Sequence, residues 1–248
     1  MVHPTTAEMN AALEYRGREP EIDGDQQLGA RGVKRRAPLW LKAGFWACTV
    51  IAVAVALRRF VALMHPSQTG PAAMAGLDAA FASHAALTFA HISSATAFVL
   101  VAPLVVFRAA KSGLWERLLF PLGAVVGITA YAMSIPAFGG WVERSAVLFF
   151  NSVFLFSLAR AYGYARAGES FQKMRWLTRA VGILLGIATT RPVMGIFFAT
   201  SRWTHLEPRQ FFGVAFWIGF SINTIIVEIW LRSGRRILES GNLVRRST

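Results

Sequence analysis

Six times along the chain, apolar residues run for about 18 positions or more with almost no charge, as in "GFWACTVIAVAVAL" at 44–57. A run of that length can cross a hydrocarbon layer of roughly 30 Å as a single α-helix. Within lipid no water is at hand to bond the backbone, so a spanning segment must be helical or belong to a closed barrel. Barrel strands are shorter and alternate polar with apolar residues, and these runs do not. The pattern predicts an all-α, polytopic membrane helical bundle. Its six transmembrane helices are expected at about 39–57, 81–107, 118–138, 142–161, 180–200 and 211–231. Together they make one domain, 39–232, flanked by a tail at 1–38 and a basic tail at 233–248.

Net charge has to be read against that frame of spans. The formal value of +13 and stretches such as "GVKRR" and "SGRR" invite a nucleic-acid reading. Distributing the Lys and Arg residues over the connections removes it. Twenty fall on one side of the predicted spans and five on the other, and Arg191 is the remaining one. That asymmetry is an orientation signal, which predicts both termini on the cytoplasmic side and contact of the basic loops with anionic headgroups. Arg58 and Arg59 fall on the poorly charged side, where their long stems are expected to reach the outer headgroups. Residues 1–36 mix acidic and basic groups and are too polar to order themselves, which predicts a disordered tail. The first span follows without a clear cleavage site and reads as a retained anchor. Cys48 is the single cysteine, so no disulfide or CxxC metal site exists.

The informative residues are the polar ones inside the spans. Arg191 lies in the middle of the fifth, in "GIATTRPVMGIFF", at a depth where insertion costs roughly 3 kcal/mol. Such a residue faces the protein interior or a wet cavity. Pro192, next to it, lacks the N–H that would bond the Ala188 carbonyl, and the pair reads as a charged kink eased by Thr189 and Thr190. His84 and His91 are two helical turns apart on one face of the second span. Asn151 and Asn223 occupy similar depths in the fourth and sixth spans, and Glu143 opens the fourth as the expected counter-ion of Arg191. Glu228 is expected in a structural ion pair with Arg232 or with the basic loop before the fifth span.

These groups suit either a polar pocket for a small anionic ligand or a buried network that only fixes helix packing. A third use is haem b or a metal. His84 and His91 stand about 10 Å apart along one helix and cannot clamp one iron between them. A site at His84 would borrow His65 or His205, and one at His91 would need Met133 or Met194. No HExxH, GxSxG or GxGxxG points to hydrolysis or nucleotide chemistry, and nothing argues for an enzyme. The GxxxG spacings at Gly123/Gly127 and Gly182/Gly186 favour close helix packing, within the bundle or in a homo-oligomer.

Three stretches, "HAALTFAHISSATAFVLVAPLVVFR", "AFGGWVERSAVLFF" and "MRWLTRAVGILLGIATTRPVMGIFFA", resemble the bacterial predicted-membrane-protein family called domain of unknown function 2306. The resemblance covers about residues 80–231 and is most specific at "ATTRP". It implies a multi-helix protein of the bacterial inner membrane with no assigned activity. His84, His91, Arg179, Arg191 and Pro192 match its motif positions, as does the turn Phe138–Gly140 with Glu143. Two positions depart from it. Glu116-Arg117 stands where a His-Arg pair is common, and Lys173 where a histidine is common. The leading expectation is a ligand-binding or transport-related protein using His91, Arg191, Asn151, Asn223 and Glu143. The alternatives are a haem-containing electron carrier and a structural accessory subunit.

Overall fold

The computed structural model describes residues 38–65, 75–107 and 113–246, with side chains as far as Ser233. The predicted disorder of the first 37 residues lies outside this set. Among the described residues there is no strand, and six helical spans of 21 to 32 residues are long and apolar enough to cross a membrane. At 1.5 Å per residue the shortest covers about 31 Å, the thickness of a hydrocarbon core.

The helices are α1 (Leu39–Met64), α2 (Ala75–Ala82), α3 (Ala85–Val106), α4 (Gly113–Met133), α5 (Gly140–Arg166), α6 (Ser170–Leu184), α7 (Gly186–Thr204) and α8 (Pro208–Arg246). Helices α6 and α7 together form the fifth span, and α2 is a short piece between the first two. Cross-contacts fix the directions. Phe45 meets Phe107 while Phe60 meets Phe89, so α1 and α3 are antiparallel. His91 bonds Thr129, and Phe98 lies against Gly123, so α3 and α4 are antiparallel as well. Gly127 faces Leu155 and Phe120 meets Tyr162, which reverses the chain again into α5. The connections after α4 and α5 are tight. Gly140 (φ +65°) closes the turn after Pro136, and Gly168 (φ +76°) closes the one between α5 and α6. A side chain is strained at such angles.

Packing inside the bundle rests on Phe98, Phe154, Leu119, Leu177 and Val126, fully or almost fully buried, with Ala146, Ala161, Ala180 and Ala215 where helices approach closely. The outer surface is just as apolar: Ile128, Phe149, Phe156, Ile225 and Ile229 are all exposed. In water a skin of that kind would aggregate, whereas in lipid it is what a spanning helix requires. Trp40, Trp141 and Trp203 are exposed near helix ends, as interfacial anchors.

All four GxxxG glycines are occupied inside the chain. Gly123 and Gly127 lie under Leu158 and Leu155 of α5, and Gly182 and Gly186 under Val227 and Phe220 of α8. Of the two uses foreseen for these faces, packing within the bundle is seen at all four glycines.

Polar clamps close the end of the bundle where α4 and α6 begin. Glu228 receives Arg179 at 2.8 Å and Arg232 at 3.0 Å, the structural pairing expected from the sequence. Lys173 reaches Glu116 at 2.7 Å. Glu116 and Lys173 face each other as an ion pair that ties α6 to α4.

The fifth span is interrupted. Helix α7 runs through Pro192 unbroken, and the break falls at Leu185, seven residues earlier. There the Ala188 amide bonds the Leu185 carbonyl three residues back, a tighter turn than the α-helical one. The neighbouring Gly186 allows the Phe220 backbone to come close, which fixes the break against α8. Thr190 donates to the Ile187 carbonyl and Thr189 to Asn223, so neither hydroxyl caps Ala188.

Candidate functional site

One cavity of about 240 Å³ opens in the half of the bundle where α1 and α4 end and α3 and α5 begin. Every span contributes to its wall. Seven phenylalanines line it, among them Phe150 and Phe220 stacked at 5.3 Å. Set into that apolar wall are three charged side chains, Arg59, Glu143 and Arg191, and the polar groups of His84, His91 and Asn151.

Arg191 reaches the cavity from α7, ten residues before the end of the span at Ser201, or about 15 Å along the helix. Its polar atoms are poorly met. Nη1 approaches only the Met194 thioether, at 3.9 Å, and Nε is buried without a partner among the described residues. A thioether is a weak acceptor, and a guanidinium carries five donors. Among the described residues no carboxylate lies within ion-pair distance.

Glu143, the expected counter-ion, shares the cavity with Arg191, but no bond joins them. The reason is local. Glu143 sits in the first turn of α5, and its Oε2 accepts the Gly139 amide at 2.6 Å, capping the helix start it belongs to.

Arg59 corrects one expectation. It does not reach outward to headgroups. It is 6% exposed, lies over the Phe81 ring at 4.1 Å and donates to Asp78 Oδ1. The more exposed Arg58 bonds the other oxygen of Asp78 at 3.2 Å. Helix α2 brings Asp78 and Phe81 to this place, and the Phe81 carbonyl accepts a bond from Thr88. Positive-inside reasoning hid Arg59, because it assigns an outer arginine to the lipid. The available signal was Asp78, the one acid between the first two spans.

His91 is held by α4. Thr129 Oγ1 gives its single hydrogen to the Val125 carbonyl at 2.7 Å, so it accepts from His91 Nδ1 at 2.9 Å. Asn151 donates Nδ2 to the Gly127 carbonyl at 2.8 Å, leaving Oδ1 available. His84, at the N-cap of α3, bonds Ser83 and lines the mouth.

Asn223 does not belong to this group. It accepts from Thr189 at 2.7 Å and donates to the Gly182 carbonyl at 3.3 Å, beside the interrupted turn. It fastens α8 to both halves of the fifth span and is absent from the cavity wall. Hydropathy alone gave its depth but not the direction it faces.

The remaining histidines are elsewhere. His65 ends α1, and His205 occupies the left-handed C-cap of α7 (φ 52°). Neither lines the cavity, and among the described residues no three His, Cys, Asp or Glu side chains gather as a metal site. A bis-histidine haem needs axial ligands on opposite faces, and His84 and His91 stand on one helix; Met133, an expected partner of His91, lines the cavity with it. The cavity wall offers no facing histidine pair.

No family model, curated protein or solved structure matches the chain. The geometry of the cavity therefore carries the functional reading.

Proposed function

We propose that this is a multi-pass protein of a bacterial inner membrane, in the family the sequence resembles, that binds a small anionic ligand in the cavity around Arg191 and His91. In this reading the start of α1 and the end of the sixth span face the cytoplasm, and the cavity lies in the outer half of the bundle. One observation carries it: a guanidinium deep in a membrane span lines a cavity with no carboxylate bonded to it among the described residues and with a donor left over. Keeping a charge in such a place is costly, and a bound anion offsets that cost. Arg191 supplies the fixed charge. His91 and Asn151 provide further polar atoms, and Glu143 shapes the neighbouring wall.

The test is thermal unfolding of the purified, lipid-reconstituted protein with and without a panel of small anions. A ligand at 100 times its Kd should stabilise the wild type by about 2.7 kcal/mol, and Arg191→Gln should abolish that gain. Equal stabilisation of both proteins would defeat the reading. A reporter fused after Thr248 that reads from outside the cell would defeat the orientation.

A further inference from the structure

We infer that the ligand is an apolar monoanion of roughly ten non-hydrogen atoms, in chemical class a short aromatic or aliphatic monocarboxylate. This rests on the anion-site reading above and narrows it on three grounds.

Charge sets the valence. The cavity and the groups directly behind it hold three cations, Arg58, Arg59 and Arg191, and two carboxylates, Asp78 and Glu143. With both carboxylates ionised, one positive charge is left over. It belongs to the cavity as a whole: Asp78 offsets one of its two arginines, and Glu143, though not bonded to Arg191, offsets a second charge, so a monoanion on Arg191 brings the sum to zero.

Donor geometry sets the head group. A guanidinium presents its N–H groups as a planar fork that matches the two oxygens of a carboxylate. Arg191 has a donor without any partner, and its one contact is with sulfur.

The wall sets the body. A cavity of about 240 Å³ walled by seven phenylalanines is far larger than a single inorganic ion needs. A bare inorganic anion would leave most of that space empty against phenylalanine rings, whereas a long acyl chain would have to extend out of the mouth beside His84. A ring or a five-carbon chain packs among Phe150, Phe212, Phe216 and Phe220 while its carboxylate meets Arg191.

The experiment is isothermal titration of the reconstituted wild type with benzoate, hexanoate, dodecanoate, benzamide and inorganic phosphate. Benzoate or hexanoate should bind saturably, and benzamide, of the same shape but uncharged, about 30-fold more weakly or worse. Arg191→Gln should lose a similar factor, and Arg191→Lys part of it, because an ammonium cannot offer the fork. Should the variants fail to fold, the benzoate–benzamide comparison on the wild type decides. Phosphate binding that depends on Arg191, with no carboxylate binding, would leave the anion site standing and overturn this inference. Dodecanoate binding more tightly than hexanoate would overturn the size limit and point to a lipid source. If none of these anions binds, the anion-site reading falls too.

Discussion

Replacing Asp78 with Asn tests whether Arg59 turns inward. In the structure one carboxylate serves two guanidinium groups of different exposure: the Arg59 side chain is 7% exposed and the Arg58 side chain 37%. Removing one partner of a buried pair costs about 3–5 kcal/mol, because the other charge is left uncompensated. Here the Phe81 ring under Arg59 retains about 0.5–2 kcal/mol of that, so Asp78→Asn should cost about 2–3 kcal/mol. Arg58→Gln removes a half-solvated partner and should cost no more than about 1 kcal/mol. The double variant Arg59→Met/Asp78→Asn should recover part of the loss, since it removes both members of the pair. The assay is reversible denaturation in mixed micelles, with helical content followed by circular dichroism. If Arg58→Gln proves as costly as Asp78→Asn, or the double variant is worse than the single one, Arg59 is not the buried partner.

Three further outcomes follow from the packing. Gly219→Ala should destabilise by about 1–3 kcal/mol, because its Cβ would come within 2.7 Å of the Thr190 backbone nitrogen, whereas Gly195→Ala meets nothing and should be neutral or mildly stabilising. Micelle denaturation of the two variants checks the difference. Asn223→Ala should cost about 1–2 kcal/mol by removing two bonds, and it should leave ligand affinity within about twofold by titration, since Asn223 lies off the cavity. Protein made with added haem should show no bis-histidine cytochrome spectrum, because the two histidines at the cavity share one helix face.

The spans were legible because hydropathy at that length has one structural solution in lipid. Their ends were less so. Helix α1 continues seven residues beyond the expected Leu57, through Arg58 and Arg59, because Asp78 of α2 meets both charges. The fifth span begins ten residues early, since Lys173 and Arg179 find carboxylates on α4 and α8 that no local pattern reveals. At the site, Arg191, His84, His91, Asn151 and Glu143 stood out as polar groups in apolar runs, and all five line the cavity. Asn223 has the same signature and a different task, because depth along a helix does not fix the face. The phenylalanine wall was invisible, since a phenylalanine suits lipid and cavity equally well.

The most direct measurement is an experimental structure with 4-bromobenzoate, located by the anomalous signal of bromine. The proposal requires bromine among Phe150, Phe216 and Phe220, with both carboxylate oxygens on the Arg191 guanidinium. Bromine found only on the lipid-facing surface, with Arg191 paired to Glu143 across a closed cavity, would contradict it.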